Sequence, residues 1–225
     1  MRAKLVLWSA AATLALVSTA AIANVVVVKS IGPSAKSYPP GKTLPESAKI
    51  TLKGGDVITI LGPGTAKTLR GPGNFDAKQV TLASAAGQRG RFGALRAGEI
   101  AHNPSIWDID VSQGGKICIS DASKLQLWRP DSEAEVTATI RSADGQSQPL
   151  SWAAGKSLAA WPATVPIQSN ASYDIEWPDT GEKSTLEVVT VPATPDDIVT
   201  AAQVLIEHGC QKQLDLLVES TGKAH

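Results

Sequence analysis

The chain is expected to fold as a mainly β protein, with two β units followed by a helical tail. Three observations predict this. Short alternating or apolar runs, each bounded by Gly, Pro or Asp, recur from Val25 to Val191. The five tryptophans that follow residue 23 all lie beyond residue 105, so the texture of the chain changes midway. The last thirty residues carry apolar side chains at helical rather than strand period. The expected division is 1–23 as a leader, 24–98 as the first β unit, 99–192 as the second and 193–225 as the tail.

The leader reads "MRAKLVLWSAAATLALVSTAAIA". Arg2 and Lys4 precede an apolar stretch from Leu5 to Val17, and the segment ends in Ala21-Ile22-Ala23. That is the pattern of a secretory signal peptide, with cleavage expected between Ala23 and Asn24. The stretch is shorter than the roughly 20 apolar residues that span a bilayer. An uncleaved anchor would leave the same domains outside the membrane. No later stretch is long and apolar enough to span, so the mature chain is expected to be periplasmic or secreted. Without Arg2 and Lys4 it carries 19 basic and 21 acidic residues. A formal charge of −2 gives no reason to expect nucleic acid or an acidic membrane surface as partner.

In the first unit the runs "NVVVVKSI", "AKITLK", "DVITILG", "TAKTLRG" and "AKQVTLAS" read as short strands joined by turns. "PPGKTLP" cannot lie inside a helix, because Pro39, Pro40 and Pro45 break one. "SAAGQRGRFGALRAGEIAHNPS", from Ser84 to Ser105, is a Gly-rich polar connection, read as a linker or a long flexible loop, with "RFGALRAG" as a candidate short helix.

The second unit contains "IWDIDV", "KICISD", "KLQLWR", "EVTATIRS", "PLSWAA", "ASYDIEW" and "STLEVVTV". Turn residues separate them at Gly114-Gly115, Asp144-Gly145 and Asp179-Thr180-Gly181. About seven strands at this spacing predict a small β-sandwich of immunoglobulin-like shape.

The tail opens with Thr194 as candidate N-cap, Pro195 at the first helical position, and Asp196 and Asp197 at the positive end of the helix dipole. Ile198, Ala201, Ala202, Leu205 and Ile206 form an apolar stripe. His208-Gly209 is expected to end that helix, and Cys210, Leu214, Leu217 and Val218 to form a second helical face. The chain has two cysteines, Cys118 and Cys210. An oxidising compartment favours their pairing over two buried thiols, which would pin the tail onto the sandwich. Neither belongs to a CxxC pair, so redox catalysis and a zinc site are not expected.

Several features resemble chemistry and fail its requirements. Aligning a phosphate-binding loop on Lys67-Thr68 puts Leu61 and Ala66 where glycines are needed. Aligning it on Lys42-Thr43 puts Lys36 on the first glycine, and no helix follows either pair. No nucleotide is therefore expected. His102, His208 and His225 have no metal-ligand spacing, so no metal and no other cofactor is expected. Asp108 and Asp110 alternate in "WDIDV" and read as the wet face of a strand with Trp107, Ile109 and Val111 inward, although two carboxylates on one face can also hold a cation or move protons. No Gly-x-Ser-x-Gly elbow is present. Trp128, Trp161 and Trp177 each lie at or near a proline. They read as core residues closing strand ends, with stacking on a sugar ring as the alternative.

The stretch from Ser30 to Phe75 resembles the periplasmic FecR-type domain of bacteria. The likeness lies in "PGKTLP", then "AKITLKGGDVITIL", then a turn and "TAKTLRGPG". The resemblance implies short strands stacked by Gly-Asp turns, a protein–protein role in envelope signalling, no cofactor and no catalytic residues. A FecR regulator begins with a cytoplasmic sigma-factor-binding segment and a transmembrane helix, whereas this chain opens on a signal peptide. The expected function is therefore an exported, non-catalytic protein-binding, scaffolding or signalling module, with envelope or membrane proteins as partners. The alternative is a module that binds cell-wall carbohydrate or peptidoglycan through exposed Trp128, Trp161 or Trp177. A periplasmic hydrolase with a triad assembled only in space is the third reading.

Overall fold

The computed structural model describes residues 24–80, 103–191, 195 and 197–222. The leader up to Ala23, most of the Gly-rich connection, Thr194, and two of the three histidines (His102 and His225) lie outside them. The described chain is mainly β with a helical end.

The first unit holds β1 (Asn24–Ile31), β2 (Thr43–Pro45), β3 (Lys49–Leu52), β4 (Val57–Gly62), β5 (Thr65–Arg70) and β6 (Gly73–Asp76). An antiparallel sheet in the order β2-β1-β4-β5 faces the small pair β3-β6. β1 is apolar without alternation because it is covered on both sides. Val25 and Val27 join Ile58, Ile60, Leu69, Ile50 and Leu52 in the core between the sheets. Val26 and Val28 point the other way, into a second cluster with the tail. A bulge then shifts the register, so that Val27 lies opposite Ile60 but Lys29 lies opposite Thr59. Strict alternation would have sent Lys29 toward the core; the extra residue turns it out to solvent.

The described part of "AKQVTLAS", residues 77–80, is not a strand, and the rest lies outside the described residues. Residues 78–80 are helical, with Ala77 and Val80 buried one turn apart. The Val80 amide donates to the Ala77 carbonyl, 3.0 Å, as a turn of helix requires. Two strands that the sequence does not announce, β2 and β6, complete the sheets by pairing with β1 and β3.

The second unit holds β7 (Ile109–Asp110), β8 (Gly115–Ile119), a 3₁₀ turn at Ala122–Lys124, β9 (Gln126–Trp128), β10 (Val136–Ser142), β11 (Ser147–Trp152), β12 (Leu158–Ala160), β13 (Ala171–Glu176) and β14 (Lys183–Thr190). A five-stranded sheet, β11-β10-β13-β14-β8, faces a three-stranded sheet, β12-β9-β7. Both contribute to one core that includes Ile109, Leu127, Ile140, Trp152, Tyr173 and Ile175. β14 and β8 run parallel. The Tyr173 hydroxyl donates to the Pro166 carbonyl at 2.8 Å and accepts from the Gln168 amide at 2.9 Å, fastening the loop before β13. "IWDIDV" is strand only at Ile109–Asp110, because a turn bonds the Asp108 amide to the Ser105 carbonyl at 3.2 Å. Trp107 consequently packs toward the tail rather than into the sandwich core.

The tail forms α1 (Ile198–His208) and α2 (Gln211–Gly222). Asp197, not Thr194, is the N-cap: its Oδ1 accepts from the amides of Val199 and Thr200, each at 2.9 Å. Gly209 ends α1 in the left-handed region, φ 72°, and returns its amide to the Ile206 and Leu205 carbonyls. Cys118 and Cys210 are paired, with Cα atoms 5.9 Å apart. The helices do more than sit on the sandwich. Ala201, Leu205, Leu214 and Leu217 share one cluster with Val26, Val28 and Leu61 of the first unit and with Ile106, Cys118 and Val191 of the second. The tail is a clasp between the two β units.

Candidate functional site

Two shallow clefts open on either side of Pro130, which lines both. The first, of about 320 Å³, lies at the end of the sandwich. The loop after β9 supplies Arg129, Pro130 and Asp131, and the hairpin between β13 and β14 supplies Trp177, Asp179, Thr180 and Glu182. That hairpin closes by two backbone bonds, from Trp177 N–H to the Glu182 carbonyl at 2.9 Å and from Gly181 N–H to the Trp177 carbonyl at 2.8 Å.

Its floor is rigid. The Trp177 ring stacks on Trp152 with centroids 5.7 Å apart and planes 23° apart. The Arg129 guanidinium lies 6.0 Å from the Trp152 ring and is itself buried. It donates to the carbonyls of Ala134 at 2.6 Å, Lys156 at 3.1 Å and Ala153 at 3.4 Å. Arg129 thus ties the β9–β10 connection to the β11–β12 connection. Asp131, Asp179 and Glu182 are exposed on the rim around the half-buried Trp177. An indole face ringed by carboxylates suits a cationic side chain or a polyhydroxylated ring.

The second cleft, of about 430 Å³, separates the sandwich from α2. Asp108, Asp110, Asp215 and Glu219 line it together with Lys212 and Gln213. The structure therefore brings Asp108 and Asp110 into one cleft, but uses them differently. The Asp110 carboxylate accepts from Ser112 N–H at 3.0 Å, Ser112 Oγ at 2.6 Å and Gln113 Nε2 at 2.9 Å, and so caps a turn. Burial raises the Asp108 carboxyl to about 6. Asp215 accepts from Gln211 Nε2 at 2.9 Å, and Lys212 donates to the Gly114 carbonyl. Among the described residues no group of three or more His, Cys, Asp or Glu is placed to hold a metal ion.

Gln213 lies buried beside this cleft and docks α2 to the sandwich. Its Oε1 accepts from the Cys118 amide at 2.6 Å, while Nε2 donates to the carbonyls of Ile106 at 2.6 Å and Cys118 at 2.9 Å. β8 is an edge strand, and the Cys118 N–H and carbonyl are groups a further strand would have paired.

Of the residues singled out in the sequence, Cys118 and Cys210 meet, and Asn24 begins β1 while Ala23 lies outside the described residues. Trp128 and Trp161 are buried, 5% and 9% exposed. The Trp161 Nε1 donates to the Val165 carbonyl at 2.8 Å, and its ring meets Tyr173 edge-on at 5.0 Å. Trp128 lines the second cleft with the little surface it keeps, and the half-buried Trp177 lines the first. Lys67 and Thr68 lie within β5, paired with Ile60 and Thr59. His208 stands in the last turn of α1. The rim acids were not anticipated, although they stand beside the singled-out tryptophans as "WRPD" and "WPDTGE". No protein-family model, curated protein or solved structure matches the chain.

Proposed function

We propose that this is an exported, non-catalytic envelope protein that binds or scaffolds other proteins through the Trp177 cleft. The observation that carries the reading is the cleft itself. It is shallow and open, with a pre-stacked aromatic floor and a charged rim, which suits a side chain presented by a protein surface. Export is supported by the leader sequence and by the paired cysteines. Among the described residues no helix is long and apolar enough to cross a membrane.

The finer fold reading belongs to the same proposal. An immunoglobulin-like sandwich is supported by the Tyr173 hydroxyl bonded to backbone upstream of β13, and by the sheet order with β8 parallel to β14. A FecR-like first unit is supported by its short strands and by the Gly54-Gly55-Asp56 turn. There the buried Asp56 accepts from Ser34 N–H at 2.8 Å and Lys53 N–H at 2.5 Å.

The testing experiment is a cross-linking pull-down of the tagged mature protein from its own envelope, run beside Trp177→Ala. Specific envelope or membrane proteins recovered with the native chain and lost with the variant are expected. Equal recovery with both would remove the cleft from the account. The half-exposed Trp177 indole among acceptor carboxylates also favours a second reading, binding of cell-wall glycan. Quenching of its fluorescence by peptidoglycan fragments supports that reading, and an unchanged spectrum removes it.

A further inference from the structure

We infer that the protein associates with a second copy of itself head to tail, the basic sheet face of one first unit meeting the acidic Trp177 cleft of the next copy's sandwich. The inference rests on the reading of that cleft as a protein-binding site.

Charge is divided sharply along the chain. Residues 24–80 carry eight Lys and Arg against three Asp and Glu, a formal charge of +5. Residues 103–222 carry seven against seventeen, a formal charge of −10. The near-neutral total hides this. The ion pair Lys49–Asp76 stays within the basic half, and Lys116–Glu187, Lys124–Asp121, Arg141–Glu176 and Lys183–Asp174 stay within the acidic half. The seam between the halves is the apolar tail cluster. Opposite fields on one molecule favour association of one copy's half with the other copy's opposite half.

The basic face has a defined place. The sheet β2-β1-β4-β5 is only half covered by the tail. Val26, Leu61 and Ala66 form the row in the tail cluster. The next row along the same face is Lys29, Thr59 and Thr68, and the one after is Ile31, Val57 and Arg70. Lys29, Thr68 and Arg70 are exposed, and Ile31 is 55% exposed, the most exposed of the large apolar side chains among the described residues. Two cations and an uncovered isoleucine on one sheet face are the counterpart of an indole flanked by Asp131, Asp179 and Glu182. The bulge in β1 is what brings Lys29 and Ile31 onto this face. Because the two surfaces differ, the contact is heterologous and builds rings or open chains rather than a closed two-fold dimer.

Sedimentation velocity of the mature chain tests this. The native chain is expected to associate at about 20 mM salt and to dissociate at about 500 mM, with at least about a tenfold weakening. Lys29→Glu with Arg70→Glu, and separately Asp179→Lys with Glu182→Lys, should each be monomeric at low salt. An equimolar mixture of the two should associate again, because each supplies the surface the other lacks. All four side chains are exposed, so unchanged thermal melting verifies folding. A native chain monomeric at low salt, or association that ignores these substitutions, overturns the inference. So does a monomer whose Lys29 and Arg70 instead bind phosphatidylglycerol vesicles. A monomer whose Trp177 cleft still captures envelope proteins overturns the inference alone and leaves the proposed function standing. Charge-swapped association without any envelope partner does the reverse.

Discussion

Replacing Gln213 by Leu keeps the volume of the side chain and removes its amide, so it isolates what that amide does for the clasp. Three hydrogen bonds are lost, and the Cys118 N–H, the Cys118 carbonyl and the Ile106 carbonyl lose the partner that serves them. Cys118 is fully buried, so water does not replace that partner without opening the seam. A buried polar group left unsatisfied costs about 1–3 kcal/mol. Three such groups give about 3 kcal/mol at the low end and about 9 kcal/mol at the high end. Either value is a large share of the roughly 5–15 kcal/mol that holds a domain folded. Urea unfolding of Gln213→Leu against the native chain measures it. Gln213→Glu adds a signature. A carboxylate there accepts from Cys118 N–H but faces two carbonyls without a proton to donate. Its folded-state pKa therefore lies above the ordinary one, and its destabilisation grows as pH rises. The loss should be larger at pH 7 than at pH 4. A loss under about 1 kcal/mol for Gln213→Leu, or no pH dependence for Gln213→Glu, refutes the role given to this side chain.

Four further outcomes follow from the same geometry. Changing Cys118 and Cys210 together to Ser should destabilise by about 4.6 kcal/mol on chain-entropy grounds, for a loop spanning 92 residues. Hydrogen exchange should show α1 and α2 losing protection before either β core. Asp108→Asn should stabilise near pH 7 and do little below pH 4, because the carboxyl raised to about 6 in the fold penalises the ionised state as pH climbs from about 4 to about 6. With the group half-exposed the gain is about 1–2 kcal/mol after solvent screening, read as the difference between native and variant unfolding curves at the two pH values. Trp177→Ala should leave the fold intact, since Trp152 stays buried beneath it, while abolishing capture at the cleft, measured by retention of cross-linked partners.

Much of the architecture is legible in the chain because periodicity survives wherever one face is buried. β10, β13 and β14 alternate, and they appear where the pattern puts them. The run "NVVVV" is legible as a strand but not as one covered from both sides, since its second cover comes from residues 198–217, far along the chain. β6 and β12 were not legible. "GNFD" and "LAA" carry no apolar alternation and become strands only because β3 and β9 offer them an edge. Trp128 and Trp161 gave an ambiguous signal, as indole serves core and ligand alike, and burial decided it. Gln213 is invisible from sequence, being a polar residue at a helical position until a strand edge 95 residues away gives it two partners and the Ile106 carbonyl a third. The division of charge was present in the sequence throughout, and summing over the whole chain concealed it.

The most direct test of the functional account is a photo-crosslinking residue placed at Thr180 on the cleft rim, in cells that export the protein, with Lys36 on the first unit as the comparison site. The account predicts discrete adducts to envelope proteins, or to a second copy of this chain, from Thr180, and their disappearance when Trp177→Ala is added. Adducts that are the same from both sites, or that persist without the Trp177 indole, would contradict it.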